Sequence, residues 1–317
     1  MKKIVMPMAL ALSLPGLAMA DFRVYGKANV SLQHADDSPG LDENDVRRPA
    51  TSKMELVSSA SRIGVKGSEA LTDELEAIFQ FEYETQVDDG DKGGQTFSQR
   101  DIYVGVRGKA GTLMVGKVNT PLKSAQDKVD LFNDLEGDIN YLFKGEVRAN
   151  NVVQYKSPVF GEYFAGSVAY IASEEDGVDP GVSATISYRN AGLYLAVAQD
   201  TDVQVEGADL TRLVARYSID NIHVGALFET YEDATTDEDG AFVSVLWEAT
   251  DVWSFKAQAG SSDINESGGE AISLGADYKL TDNTKLYGYY TNETSDLLVN
   301  GAGRDDQYLG VGMSLSF

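Results

Sequence analysis

The chain has 317 residues, 43% of them hydrophobic and 24% charged, which is ordinary for a folded protein and argues against wholesale disorder. Its 26 basic residues stand against 50 acidic ones, and the net charge of −24 argues against a nucleic-acid phosphate backbone as a partner. The chain has no cysteine and a mean hydropathy of −0.24, so a disulfide scaffold, a Cys-ligated zinc site and a bundle of membrane helices are excluded, leaving a secreted soluble β or α/β protein or a membrane β-barrel.

The first twenty residues have the pattern of a secretory signal peptide. Two lysines precede a mainly apolar run over residues 4–17, and Ala18-Met19-Ala20 fits the small-x-small rule for cleavage. The alternative, an apolar strand or anchor helix, is disfavoured because the run is short and interrupted by two prolines. We therefore predict a cleaved signal peptide over residues 1–20 and one exported β-barrel domain over residues 21–317.

Beyond the signal peptide, short segments alternate apolar and polar side chains with a period of two. The last is the clearest, since every second residue from Leu309 to Phe317 is apolar and those between are polar or glycine. Sixteen such segments, each about the length of a membrane-crossing strand, lie at residues 22–34, 53–66, 74–86, 98–108, 112–117, 149–156, 162–172, 182–189, 192–199, 208–219, 222–231, 241–249, 252–261, 271–280, 284–292 and 307–317.

The connections between these segments alternate in length. Short ones such as Asn190-Ala191 and Thr250-Asp251 alternate with longer acidic ones such as 35–52, 232–240 and 293–306. This order indicates an up-and-down barrel with turns at one rim and loops at the other. Sixteen strands would be unusual in a soluble sandwich of this length, and closure removes the unpaired strand edges that lipid does not tolerate. The sequence thus predicts an all-β, transmembrane, antiparallel up-and-down barrel of 16 strands.

Four motifs carry a resemblance to a known family: Val24-Tyr25-Gly26-Lys27, the Ser-Arg-Ile-Gly-Val-Lys-Gly run at 61–67, the Val-Gly-Lys-Val-Asn-Thr-Pro run at 115–121, and the terminal Phe317. In this order the chain resembles the Gram-negative general-diffusion porins over its whole mature length. The resemblance implies a homotrimer in the outer membrane of a Gram-negative bacterium, with a water-filled pore in each subunit and a long third loop folded into the lumen. It also implies that the C-terminal pattern ending in Phe317 is the assembly signal read by the barrel-assembly machinery.

The segment between Val118 and Val147 is the longest without strand alternation and fits this third loop. It holds six acidic residues against three lysines, and composition alone leaves open a solvated external loop. The resemblance implies instead that its acids face a ladder of basic side chains on the barrel wall. The family's Pro-Glu-Phe-Gly-Gly stretch is replaced here by residues 133–137. The predicted acidic residues of the pore constriction are Asp127, Asp130, Asp134, Glu136 and Asp138.

Four basic residues in the matching motifs are candidates for the pore wall: Lys27, Arg62, Arg100 and Arg148. Three of them fall on the polar face of their segments. Arg100 instead shares its face with apolar residues, so a lumenal position requires an apolar inner wall or a β-bulge. Additional lumen candidates, for which paired surface charges without a role in selection are the alternative, are Arg189, Arg212 and Arg216.

These residues predict a passive mechanism. Opposed carboxylates and guanidinium groups across a narrow aqueous gap set up a transverse field that favours small hydrophilic solutes, with a modest preference for cations that salt would screen. Acid-rich outer loops, for example around Asp36 and Asp42 and around Asp237, either hold divalent cations that bridge lipopolysaccharide or are simply solvated. No cofactor, resident metal or nucleic-acid partner is predicted.

Two other functions remain as alternatives. A substrate-selective porin for oligosaccharides or anions would place a stack of aromatic residues along the lumen, and Tyr141 and Phe143 would either belong to such a stack or pin the loop to the wall. A secreted soluble β-rich adhesin or binding module would hide its apolar faces. An enzyme is not predicted, because the only histidines, His34 and His223, stand beside no distinctive nucleophile.

Overall fold

The computed structural model describes residues 21–41, 47–90, 94–299 and 302–317; the predicted signal peptide and Asp42 lie outside them. Within these ranges a separate two-stranded sheet pairs Gly40–Leu41 with Arg47–Arg48. The barrel itself has sixteen antiparallel strands that pair in sequence order. Their bounds are β1 Asp21–Asp37, β2 Thr51–Ser58 continued by Arg62–Ala70, β3 Leu75–Glu84, β4 Ser98–Gly108, β5 Gly111–Asn119, β6 Arg148–Lys156, β7 Phe164–Ile171, β8 Gly181–Asn190, β9 Leu193–Thr201, β10 Asp209–Ile219, β11 Ile222–Glu232, β12 Asp237–Glu248, β13 Trp253–Ser262, β14 Gly269–Lys279, β15 Thr284–Val299 and β16 Ala302–Ser316.

The sheet closes on itself where the first and last strands meet. The β1–β16 register runs from Lys27 opposite Ser316 to Asp36 opposite Gln307. The terminal Phe317 extends this pairing, because its N–H donates to Gly26 O (3.1 Å) and its carbonyl accepts from Gly26 N (3.0 Å). The predicted closed 16-strand barrel is therefore confirmed, and closure leaves no free strand edge at the seam of β1 and β16 for lipid to face.

Strand β2 is interrupted in its middle. Both halves pair with β1, but only the second half, from Arg62, pairs with β3. Residues 59–61 break the ladder, and Ala60 there has a left-handed φ of 49°. Ser61 Oγ takes over one lost pairing by accepting a hydrogen bond from Asn29 N (2.9 Å).

Every predicted segment overlaps an observed strand, but some strands extend further than apolar alternation suggests. The predicted loop at 293–306 is mostly a continuation of the β15–β16 ladder, with Glu293 opposite Asp306 and Ser295 opposite Arg304. Likewise β12 begins at Asp237 inside the predicted loop 232–240. Backbone pairing needs no apolar side chains, so alternation marks only the part of each strand that faces lipid.

Large apolar side chains cover the outside of the barrel. Leu309 and Val311 on β16 are 60% and 63% exposed, while Tyr308 on the opposite face is 9% exposed. Near the short turns Trp253 packs on Tyr278 with ring centroids 4.8 Å apart. No helix among the described residues is long and apolar enough to cross a membrane. An apolar exterior of this extent suits contact with acyl chains and excludes the secreted soluble module.

The main apolar core lies inside the barrel, under residues 120–147, the third loop. The loop begins with a short helix, α1 (Pro121–Ala125), capped by Thr120, whose hydroxyl accepts from Lys123 N (3.1 Å). Later it contains a 3₁₀ turn at Ile139–Tyr141. Its buried apolar side chains pack on inward-facing residues of β9 to β12 and on Ile264 just after β13, which explains why those strands turn some apolar residues inward. The third loop therefore packs against inward-facing side chains of the barrel wall.

Candidate functional site: a charged constriction

The third loop is held against the inner wall by hydrogen bonds at its tip. Lys256 Nζ donates to Leu131 O (2.9 Å) and Gln258 Nε2 donates to Gly137 O (2.6 Å). Gly137 has a φ of +87°, and a Cβ there would lie 2.2 Å from Ser273 Oγ. Only glycine fits this close approach. The loop tip therefore has a fixed position across the lumen.

Between the third loop and the wall of β2 to β6 lies a cavity of about 920 Å³, which we call the constriction cavity. Seven acidic and five basic residues line it. The acidic residues are Glu82, Glu84, Asp101, Asp134, Glu136, Asp138 and Glu146. The basic residues are Arg62, Arg100, Arg148, Lys123 and Lys144.

Asp134 joins the loop tip to two predicted basic residues of the wall. Its Oδ2 accepts from Lys27 Nζ (3.3 Å) and from Arg62 Nη2 (3.0 Å). Burial alone would raise the pKa of Asp134, but the charges of Lys27, Arg62 and Arg100 together hold it below its usual value. The ionised carboxylate therefore touches Lys27 and Arg62 directly instead of facing them across water.

Glu136 and Asp138, also predicted as constriction acids, border the cavity. Glu136 Oε1 accepts from Gln33 Nε2 (3.0 Å), and burial raises the pKa of Glu136. Asp138 caps the 3₁₀ turn by accepting from Asn140 N (3.0 Å) and also accepts from Asp134 N (2.9 Å). Burial raises the pKa of Asp138 to about 6, so most of it is ionised at neutral pH.

Arg100 reaches the cavity because of a β-bulge. The pairing of β3 with β4 shifts by one residue at this position, which breaks the alternation that would turn Arg100 outward. Arg100 Nε donates to Glu82 Oε1 (2.8 Å), and Nη1 donates to Glu84 Oε2 (2.7 Å). Both carboxylates are wall residues, as is Asp101, which accepts from Arg148 Nε (2.6 Å).

These three wall carboxylates were missed by the sequence reasoning. Glu82 and Glu84 lie on the polar face of β3, so parity placed them in the lumen, but no motif distinguished them from other lumenal charges. Asp101 follows the bulge, where strand parity gives no guidance. No sequence signal places Glu146, Lys123 and Lys144 at the cavity, because their positions depend on the path of the third loop.

Asp127 does not lie at the constriction, contrary to prediction. It lies on the side of the third loop that faces the short turns, where its carboxylate accepts from Arg189 Nη2 (3.1 Å) and Arg216 Nη1 (3.5 Å). Asp127 and Arg216 line a separate cavity of about 300 Å³. Helix α1 ends just before Asp127 and sends the chain toward this rim.

Asp130 is also misplaced by the prediction, because it is buried inside the loop. Its carboxylate accepts from Phe132 N (3.0 Å) and Ile139 N (3.4 Å), which fixes the shape of the loop. Burial, and then the charge of Asp138, raises the pKa of Asp130 to about 8. Asp130 therefore adds little negative charge at pH 7 and does not line the constriction cavity.

Arg212, predicted as a lumen candidate, is wholly enclosed with 0% exposure. Its Nε donates to Glu229 Oε2 (2.6 Å), Nη1 to Glu146 Oε1 (2.7 Å) and Nη2 to Lys144 O (2.9 Å). The third loop covers it, so Arg212 anchors the end of that loop to β10 instead of lining water.

Comparison with known proteins identifies the fold and the family. The family model described as Gram-negative porin matches residues 8–297. The chain belongs to the Gram-negative porin family. The major outer membrane protein P.IB of Neisseria sicca is 35% identical over 173 residues, which are 53% of this chain and 46% of that protein. The P.IB of Neisseria meningitidis serogroup B, serotype 15, is 27% identical over 310 residues, 90% of this chain and 91% of that one.

Solved porin structures show the same fold. The anion-selective porin from Comamonas acidovorans superposes with a TM-score of 0.75 at 21% identity, covering 94% of this chain and all 100% of that one. The trimer form of in-vitro folded OmpT from Vibrio cholerae gives a TM-score of 0.63 at 16% identity, with coverage of 94% and 99%. The protein is thus an outer-membrane porin, and by the general architecture of such barrels its short turns lie at the periplasmic rim.

In this porin Tyr141 and Phe143 pin the third loop. Tyr141 donates its hydroxyl proton to Thr294 O (2.8 Å), and Phe143 is 1% exposed, edge-on to Phe242 with centroids 6.4 Å apart. The aromatic residues that line the constriction cavity are Phe143 and Tyr289. No aromatic stack lines this cavity among the described residues.

The remaining candidates for chemistry are accounted for by local pairing. His34 Nε2 lies 3.3 Å from Asp36 Oδ2, and His223 Nδ1 lies 2.9 Å from Ser218 Oγ. Within the described ranges no group of three or more His, Asp or Glu side chains is arranged to hold a metal ion.

The ring of Phe317 lies over Gly26, where an added Cβ would come within 2.4 Å of it.

Proposed function

We propose that this porin forms a water-filled channel for passive diffusion of small hydrophilic solutes and ions, with a weak preference for cations. The observation that carries the proposal is the charge around the constriction cavity, where seven acidic residues stand against five basic ones. A permeating ion within about 8 Å, the Debye length at physiological ionic strength, responds to this excess. No step of the proposal involves a catalytic group.

Selection would act through the field of fixed charges and not through a binding site. Charged groups that line a narrow aqueous gap raise the local concentration of counter-ions and lower that of co-ions. The aromatic pair at the cavity is too sparse to hold a sugar ring from both sides, so a substrate-selective pore is not favoured. The porin of Comamonas acidovorans is anion-selective, but its likeness to this chain carries only the fold.

The experiment is a planar-bilayer recording under a salt gradient. We expect ohmic conductance with a reversal potential on the cation side at about 0.1 M salt, approaching zero near 1 M because screening grows. Asp134→Asn should lower the cation-to-anion permeability ratio about two- to fourfold, since it leaves Lys27 and Arg62 without their loop partner. Asp282→Asn, which removes a carboxylate 92% exposed at the periplasmic rim, is the control. An anion-side potential for the wild type would contradict the proposed selectivity.

We further propose that the porin assembles as a homotrimer. The trimer form of OmpT supports this, and so does Lys117, which shares the outward face of β5 with the exposed Leu113 and Val115. Lys117 takes part in none of the ion pairs or side-chain hydrogen bonds among the described residues. A lysine facing acyl chains is costly, and a neighbouring protomer would supply it with a polar partner.

The signal peptide would direct export and be cleaved after Ala20. Two other partners are proposed, and the first is the barrel-assembly machinery, which would read the C-terminal strand ending at Phe317. Acidic outer residues such as Asp36 and Asp237 would contact lipopolysaccharide through divalent cations. Removing Phe317 should lower the yield of heat-modifiable barrel if the assembly proposal holds.

A further inference from the structure

We infer that the wall carboxylates Glu82, Glu84 and Asp101 set the sign of the pore's charge selectivity, by cancelling the positive charge of the arginines beside them. The inference rests on the proposed aqueous conduction and names the residues that decide which ions it favours. It differs from a scheme in which the wall is positive and only the third loop is negative.

The contacts around Arg100 are ion pairs within the wall. Its guanidinium is held between Glu82 (2.8 Å) and Glu84 (2.7 Å), and both carboxylates lie on the lumenal face of β3. Arg62 also approaches Glu82, with its Nη1 3.8 Å from Glu82 Oε1. Tyr25 also donates its hydroxyl proton to Glu82 Oε2 (2.9 Å), which fixes the orientation of that carboxylate.

Arg148 is likewise paired within the wall, with its Nε 2.6 Å from Asp101 Oδ1. The three arginines of the wall around the constriction cavity are thus matched by three carboxylates of the same wall. In a cavity of about 920 Å³ an ion lies within roughly one Debye length, about 8 Å, of the charges that line it, so it responds to their sum, which for these six is close to zero.

The third loop forms the opposite side of the cavity. There the third loop contributes Asp134, Glu136, Asp138 and Glu146 against Lys123 and Lys144. This side is negative by two charges. Lys27, which reaches Asp134 from the wall (3.3 Å), offsets one of them, and the balanced arginines and carboxylates of the wall leave the other uncompensated. Without the wall carboxylates the three arginines would outweigh it, and the pore would favour anions.

The test uses isosteric amides in planar bilayers under a salt gradient. Glu84→Gln and Asp101→Asn should each lower the cation-to-anion permeability ratio about two- to fourfold at about 0.1 M salt. The triple variant Glu82→Gln, Glu84→Gln, Asp101→Asn should prefer anions. Glu76→Gln is the matched control, because Glu76 lies on the same face of β3 but pairs with Arg107 away from the cavity.

Arg148→Gln separates a charge effect from a displaced loop. It breaks the same ion pair as Asp101→Asn but removes the positive partner, so the ratio should rise instead of fall. Shifts in the same direction for both variants would overturn the inference. The migration of unboiled samples on gels shows whether each barrel is folded. If the triple variant does not fold, the permeability ratios of Glu84→Gln, Asp101→Asn and Arg148→Gln test the inference without it.

The outcomes distinguish this inference from the proposed function. If the wild type prefers cations while Glu84→Gln and Asp101→Asn behave like Glu76→Gln, the wall carboxylates do not set the sign and only the inference fails. If the wild type conducts no ions or prefers anions, the proposed function itself is rejected.

Discussion

Lys117 is the residue whose position is hardest to reconcile with a barrel standing alone in lipid. It lies opposite Ile102 on β4 and is flanked on its other side by the bulge at Asn150 and Asn151. On the lipid face of a barrel a lysine costs about 2–4 kcal/mol at the bilayer midplane and less near the interfaces. A polar contact across a protomer boundary would offset this cost.

Replacing Lys117 by leucine tests that contact. We expect Lys117→Leu to leave the monomeric barrel folded but to lower the temperature at which trimers dissociate, because the charged partner on the neighbouring protomer loses its counterpart. The measurement is the temperature dependence of unboiled gel migration, with Val115→Leu on the same face as control. A trimer as stable as, or more stable than, the wild type would show that Lys117 faces lipid.

At the level of single residues, Lys27, Arg62 and Arg148 lie on the polar side of their strands, to which the side-chain period of two along an unbroken strand directs them. Parity could not place Arg100, because its orientation depends on a bulge that arises from pairing with β3. Asp130 was misassigned because an acidic residue in a loop gives no sign of whether its oxygens accept from backbone N–H groups.

The third loop is the element on which the pore depends, and Arg212 is its principal anchor. This guanidinium joins β10 to Glu229 of β11 and to Glu146 and the Lys144 carbonyl of the loop. Taking one partner from a buried ion pair leaves an uncompensated buried charge, which costs about 3–5 kcal/mol.

Arg212→Gln should therefore release the end of the third loop. We expect the free energy of unfolding in detergent to fall by about 3–5 kcal/mol, and the loop to become accessible to protease. Arg107→Gln is the control, because Arg107 pairs with Glu76 on an exposed part of the wall, where such pairs contribute about 0–1 kcal/mol. Equal losses for the two variants would show that Arg212 does not anchor the loop.

The strands could be predicted because lipid imposes a strict alternation on each of them. The path of the third loop could not, because helix α1 and the 3₁₀ turn are short and are stabilised by contacts with distant strands. Gly137 shows this dependence, since it is required only by its approach to Ser273 on β14. The polar ends of β15 and β16 were predicted as loop and not as strand, because they pair beyond the band of apolar residues that faces lipid.

At the scale of the whole molecule, apolar side chains face outward, charged ones enclose the lumen, and the β1–β16 seam closes the sheet. This arrangement follows from the two solvents that the barrel separates, since lipid offers no hydrogen bonds and the lumen is polar enough to hold water. The sequence predicted this architecture because the same alternation recurs in every segment.

Liposome swelling with neutral sugars of increasing size tests most directly whether the lumen is an open aqueous path. We expect entry rates that fall steadily with solute size, rise in proportion to concentration and show no preference among sugars of equal size. Vesicles that do not swell, or a rate that saturates for one class of sugar, would contradict passive diffusion through a water-filled pore.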